Sequence, residues 1–147
     1  MLYSLALRLY YVGVYLASSF GNKKAKFWIQ GRTDLFNKVK LQLTKQKGKS
    51  PVYWFHCASL GEFEQGRPLM EEHRKAEPDA LIVLTFFSPS GYEVRKHYSG
   101  ADVISYLPLD SASNARRWLD LIRPNRVYFI KYEFWFNMLN ELKKRKI

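Results

Sequence analysis

Apolar residues recur at helical spacing over the first twenty positions. Leu2, Leu5, Leu9, Val12 and Leu16 fall three or four apart and form one stripe, with Ser4, Arg8, Tyr11, Tyr15 and Ser18 on the opposite side. From Pro51 onward the pattern changes to short apolar runs separated by helix-length stretches. PVYWFHCAS, ALIVLTFF, DVISYLPL and RVYFIKYEF read as four strands, apolar throughout as strands covered on both faces are. The first intervening helix runs from about Glu62 to Ala76. SPSGYEVRKHY opens the second with Ser88 or Ser90 as its cap, the third passes through Arg116, Trp118 and Leu121, and the last runs into ELKKRKI. Strand starts near 52, 81, 102 and 126 have the rhythm of βα units. The expected fold class is α/β, a Rossmann-like parallel sheet flanked by helices.

Residues 1–20 stand apart from that pattern. A transmembrane span needs about 20 apolar residues with few or no charges, and here Arg8 and Gly13 interrupt the run. An amphipathic helix lying in a membrane interface, with its tyrosines at headgroup level, fits the pattern. A signal peptide is the rival, although no positive region precedes the apolar run. The plainer alternative is a core helix packed on the domain.

Charge changes the picture of residues 21–50. Lys23, Lys24, Lys26, Arg32, Lys38, Lys40, Lys45, Lys47 and Lys49 face only Asp34 there, so most of the chain's net charge of +11 follows the apolar helix directly. This stretch reads as a basic connector and a second membrane signal, since each basic residue near an anionic surface contributes about 1 kcal/mol. A merely solvated linker is the other reading. The expected organisation is a membrane-associated helix (1–20), the connector (21–50) and a Rossmann-like domain (51–147), with the remainder of the chain on the cytoplasmic side. A length of 147 residues, 47% hydrophobic and 16% aromatic, suffices for one domain with a real core. A mean hydropathy of −0.33 excludes a polytopic membrane protein. Cys57 is the only cysteine, which excludes an intrachain disulfide and makes a reducing compartment the natural setting.

In an open parallel sheet, ligands bind at the carboxyl ends of the strands. Each strand here ends in polar residues: Ser59-Leu60-Gly61-Glu62, Ser88-Pro89-Ser90-Gly91, Pro108-Leu109-Asp110 and Lys131-Tyr132-Glu133. Taken singly, each is an ordinary cap or turn; four on one edge form a candidate site. Glu62 is the sharpest of them. At a helix start it is electrostatically comfortable, and as a functional acid it would take a proton from a substrate hydroxyl. The sequence contains neither a G-x-x-x-x-G-K-[ST] loop nor G-x-G-x-x-G, and His56 and Cys57, adjacent in a strand, point to opposite faces.

These residues match a family. WFHCASLGEFEQGRPLM resembles the segment of the 3-deoxy-D-manno-octulosonic acid (Kdo) transferases that carries their S-x-G-E motif. LTFFSPSGYE resembles their T-T-x-T-P-T-G stretch with Ser88 and Ser90 in place of threonines, YLPLD their Y-L-P-x-D, and KYEFWFN their E-T-E-L-W-P-N. The motifs occur in the family's order, and the resemblance runs from the N-terminal helix to the last residue.

The resemblance implies the N-terminal, acceptor-side domain of a GT-B glycosyltransferase at the cytoplasmic face of the bacterial inner membrane. Such an enzyme moves Kdo from CMP-Kdo to the lipid A precursor in lipopolysaccharide biosynthesis, with inversion and with no metal or other cofactor. Carried over by match, Glu62 is the general base, and Ser59, Gly61, Ser88, Ser90, Gly91, Lys131 and Glu133 contact substrate. Lys131 departs from the family, whose motif has an acid there that supports the transition state; Glu133 matches the second acid. The CMP-binding half is not in this sequence, so the chain alone is expected to fold and to be inactive. The expected partners are the lipid A precursor, CMP-Kdo and the anionic inner-membrane surface. Nucleic acid is not expected, because the charge gathers beside the apolar helix rather than along the strand-end loops. The alternative is a non-catalytic basic α/β module that binds anionic membrane or nucleic acid.

Overall fold

A computed structural model describes residues 2–131 and 133–147; Met1 and Tyr132, the latter in the expected fourth strand-end loop, lie outside the described residues. Four strands, β1 Val52–Cys57, β2 Leu81–Phe86, β3 Val103–Tyr106 and β4 Arg126–Phe129, form one parallel sheet in the order β3-β2-β1-β4. The two-residue period of a strand divides the core into two faces. Tyr53, Phe55 and Cys57 of β1 share one face with Ile82, Leu84 and Phe86 of β2. Trp54 shares the other with Leu81, Val83 and Val103.

Helix α4 (Leu60–Ala76) covers the first face through Phe63 and Met70. Helices α3 (Leu35–Thr44), α6 (Ala112–Ile122) and α7 (Phe136–Arg145) cover the second through Leu35, Val39, Trp118, Leu119, Met138 and Leu142. The short α5 (Pro89–Arg95) follows β2 and is capped by Ser88, one of the two expected serines. The strands and helices of the expected α/β pattern are thus present. One feature differs: β4 is an edge strand with Arg126 exposed and Val127–Phe129 half-buried, because it pairs only with β1 and is not covered on both faces.

Residues 21–50 are not a connector. They fold into α2 (Lys23–Arg32) and α3, with Asn22 capping α2 by accepting from the Ala25 N–H. Ala25, Trp28, Leu35 and Val39 are buried while the lysines stay outside, so a short buried stripe was hidden behind the charge count. Leu35 and Val39 belong to the same core cluster as Trp54 and Trp118, which removes any domain boundary at residue 50. At the sheet edge α2 comes so close that a Cβ on Gly31 would lie 2.0 Å from the ring of Tyr106, itself 1% exposed.

Helix α1 (Leu2–Ser19) has no buried residue. It docks through aromatic rings: Tyr10 and Tyr11 lie 5.9 and 6.0 Å from Trp28, and Tyr10 lies 6.0 Å from Phe87. Tyr3 packs on Phe136 and donates a 2.6 Å hydrogen bond to Asp110 Oδ2. The apolar stripe faces away from the domain, with Leu2 86% and Leu9 65% exposed, so it is not a core contact. No described helix is long and apolar enough to cross a membrane.

Two substitutions separate these roles. Gly31→Ala forces a methyl group into the fixed Tyr106 ring and should cost about 1–3 kcal/mol in urea unfolding. Leu9→Ser on the exposed stripe should stay within about 0.5 kcal/mol of the parent protein.

Candidate active site

The strand order places β1 in the middle, with β2 and β3 on one side and β4 on the other. Connections therefore leave β1 in one direction and return to it in the other, and the crevice at such a switch point is where open α/β sheets bind ligands. The loop after β1 and the loop after β4 flank that crevice. The first carries Ser59, Gly61 and Glu62; the second carries Lys131 and Glu133.

Ser59 is the N-cap residue of α4, yet its side chain makes no cap bond to the backbone of the helix. Its hydroxyl instead donates to Glu62 Oε2. This is a capping box turned inward, with the acid in the first turn reaching back to the cap. The Ser59 hydroxyl is the largest influence holding the Glu62 carboxyl below the usual carboxylate range, with the backbone N–H groups of Glu62 and Ser59 and the charge of Lys131 acting in the same direction. Glu62 is ionised at neutral pH and can accept a proton. A Cβ on Gly61 would meet nothing nearer than Ser59 Oγ at 3.8 Å, so the fold does not demand glycine there. The glycine leaves the approach to Glu62 open.

The β2 loop is drawn against the β1 loop. The Ser88 N–H donates to the Ala58 carbonyl at 2.8 Å, and Ser88 Oγ accepts from the Ser90 N–H and lies 3.0 Å from Ser90 Oγ. Gly91 permits the approach: a Cβ there would lie 2.3 Å from the Phe86 ring and 3.1 Å from the Ser59 carbonyl carbon. Gly91 is accordingly buried as a packing residue, while Ser88 and Ser90 remain at the surface of the crevice. Asp110, at the end of the third strand, has a different task. Buried, it accepts from the Asn137 and Met138 N–H groups at the start of α7 and from the Tyr3 hydroxyl.

Lys131 is exposed and sits in the left-handed region at φ 66°. A lysine in this conformation is held there by its surroundings, and such residues concentrate at functional sites. Glu133 accepts from Trp135 Nε1 at 2.6 Å and faces His56 Nε2 at 3.5 Å. Burial, followed by the charges of Glu62 and Glu133, pushes the Cys57 thiol up to about 12, so this cysteine is a neutral packing group between two carboxylates. Among the described residues no cluster of three or more His, Cys, Asp or Glu side chains could hold a metal ion.

His56 is the residue that the strand pattern left aside. It is the penultimate residue of β1, fully buried, and is paired in register with Thr85 on β2 and Phe129 on β4. The available signal was one polar residue in an apolar strand, beside the strand end where the other candidates gather.

Residues 34–147 match the sequence model of a family described as 3-deoxy-D-manno-octulosonic-acid transferase (kdotransferase). The chain belongs to the Kdo transferase family. It is 34% identical over 95 residues to the 3-deoxy-D-manno-octulosonic acid transferase of Aquifex aeolicus, covering 64% of this chain and 26% of that protein. It is 32% identical over 95 residues to the transferase of Haemophilus influenzae (64% and 22%) and 35% identical over 101 residues to that of Chlamydia muridarum (67% and 23%). The chain therefore spans about a quarter of the length of these Kdo transferases. The family match begins at residue 34, so it contains every strand-end residue described above, whereas α1 and α2 precede it.

The geometry yields a direct test of the Ser59–Glu62 contact. A carboxyl whose folded pKa lies below its unfolded value adds stability above the unfolded pKa, and that stability is lost as pH falls through the folded pKa. Ser59→Ala removes the largest lowering influence. The Glu62 titration followed by 13C NMR should then move to higher pH, the variant should be less stable at neutral pH, and its loss of stability on acidification should be smaller and complete at a higher pH.

Proposed function

We propose that residues 1–147 form the acceptor-side domain of an inverting GT-B glycosyltransferase that moves Kdo from CMP-Kdo to the lipid A precursor. Glu62 is the general base: ionised, oriented by Ser59 and open to solvent beside Gly61, it takes the proton of an acceptor sugar hydroxyl. The oxygen then attacks the anomeric carbon of Kdo, and CMP departs with the bonding electrons. The Ser59–Glu62 pair at the sheet's switch point is the observation that carries this reading, because it gives an ionised carboxylate an open approach where α/β sheets bind ligands. Lys131 offsets negative charge on the donor or acceptor where the family's motif has an acid, and Glu133 takes over the acidic role. Ser88 and Ser90 supply hydroxyls to the acceptor across the same crevice. The reaction requires no cofactor or metal.

The membrane half of the proposal rests on where α1 sits. Tyr3 and Tyr10 dock it on Asp110 and Phe87, both in loops at the carboxyl edge of the sheet, and its apolar stripe faces outward. An anionic membrane bound by that stripe and by the lysines of α2 and α3 would lie at the same end of the molecule as Glu62. The acceptor, a phosphorylated glycolipid at the cytoplasmic face of the inner membrane, would then need little lifting from the bilayer.

In a transferase assembled from this chain and a donor-binding half, Glu62→Gln should lower kcat by about 10²–10⁴-fold while the domain stays folded, with only a small loss of thermal stability from the missing carboxylate. Turnover close to that of the parent would refute the assignment. Gly61→Val should keep the fold and raise KM for the acceptor by narrowing the approach. Vesicle sedimentation tests the attachment: deleting residues 1–20 should release the chain from anionic vesicles, and added salt should weaken what remains. Equal affinity for oligonucleotides, with none for the lipid A precursor, would favour a non-catalytic basic module instead.

A further inference from the structure

Nothing in the proposed proton transfer uses His56, yet its surroundings are specific. The imidazole is completely buried, with Nδ1 2.9 Å from Thr85 Oγ1 and Nε2 3.5 Å from Glu133 Oε2. Nε2 has no hydrogen-bond partner among the described residues. The Thr85 hydroxyl oxygen already accepts from Trp54 Nε1 at 2.8 Å, and an indole N–H can only donate. The Thr85 proton therefore has two places to go: the Phe55 carbonyl at 3.3 Å or His56 Nδ1 at 2.9 Å. The shorter contact is to Nδ1. With Nδ1 accepting, a neutral ring carries its proton on Nε2, aimed at the carboxylate. The opposite tautomer would bury a bare Nε2 lone pair facing a carboxylate oxygen, leaving that nitrogen unsatisfied, although Glu133 still accepts from Trp135.

We propose that His56 is a positioning residue for Glu133: a neutral Nε2–H tautomer, fixed by the Trp54–Thr85 pair, that donates to the carboxylate and holds it at the crevice. At 3.5 Å the contact is longer than a normal hydrogen bond, as catalytic contacts often are before substrate binds. The charged groups acting on the ring agree with a neutral imidazole. Burial lowers its affinity for a second proton, Glu133 raises it from the β4 loop, and Arg32 lowers it from α2. The consequence for catalysis rests on the glycosyl-transfer reading above; the tautomer does not.

The first measurement is 15N NMR of the histidine ring in the 147-residue chain at neutral pH. A protonated Nε2 with a bare Nδ1 is expected for His56, and the reverse assignment overturns the proposal. Glu133→Gln removes the group that favours the charged ring, so the His56 titration should move to lower pH; an unmoved titration also overturns it. In the assembled transferase, His56→Gln keeps an N–H donor near the Nε2 position and should retain kcat within about tenfold. His56→Leu should lose about 10–100-fold in kcat with little change in KM. Equal losses in both variants would mark His56 as a packing residue only. If Glu62→Gln left turnover intact, the general-base reading would fail while the tautomer result stood.

Discussion

The guanidinium of Arg32 holds the working edge of this protein together. It donates from Nε to the Leu107 carbonyl at 3.0 Å, from Nη2 to the Phe87 carbonyl at 2.9 Å and from Nη1 to the Trp28 carbonyl at 3.2 Å. One side chain thus joins the ends of β2 and β3 to α2. No carboxylate pairs with it among the described residues, and burial pulls its pKa below the ordinary arginine value. Charge-assisted bonds to three carbonyls offset that cost, together with the faces of Trp28 at 3.9 Å, Tyr106 at 4.8 Å and Phe87 at 5.0 Å. Phe87 directly precedes Ser88, so the same contact fixes where the β2 loop meets the β1 loop. Trp28 and Phe87 are also the rings on which α1 rests. Lysine could not replace this arginine, because its point charge cannot serve three carbonyls in a planar fork.

Topology then decides which of the held loops can cooperate. With β1 central, the loops after β1 and β4 are neighbours although Glu62 and Glu133 lie seventy-one positions apart in sequence. The loops after β2 and β3 are displaced successively to the other side. That ordering explains the division of labour among four polar loops that look alike in sequence. The first and fourth hold the ionisable groups, the second adds hydroxyls, and the third gives its acid to the start of α7.

The strands and most helices were legible because apolar runs of strand length alternate with helical stretches, a pattern that survives single departures. Ser59, Gly61 and Glu62 were legible for a similar reason: cap chemistry and a strand end coincide in four residues. Arg32 was not. In a run of lysines it counted as one more surface charge, and only the approach of Tyr106, Phe87 and Trp28, far apart in sequence, made it an interior group. Alternation along β1 sends His56 and Cys57, neighbours in sequence, to opposite faces of the sheet and says nothing of what His56 does touch. Its real partners are Thr85 and Glu133, supplied by the adjacent strand and by the loop beyond the far one. Long-range pairing of this kind leaves no local signal.

Asp110 connects the outermost helix to the crevice. Its carboxylate accepts from the first N–H groups of α7, where the helix dipole favours negative charge, and from the Tyr3 hydroxyl of α1. Burial and the adjacent Asp110 carboxylate hold the Tyr3 phenol well above its ordinary value, so it remains a protonated donor at neutral pH. Helix α7 begins three residues after Glu133, and Trp135, its N-cap residue, donates to the Glu133 carboxylate. Tyr3, Asp110, the first turn of α7, Trp135 and Glu133 thus form one continuous series of contacts. Because α1 contributes no buried residue, its position is set by these few polar and aromatic contacts and not by a deep core. Helix α1 is thus joined, through Asp110 and the start of α7, to the carboxylate facing His56.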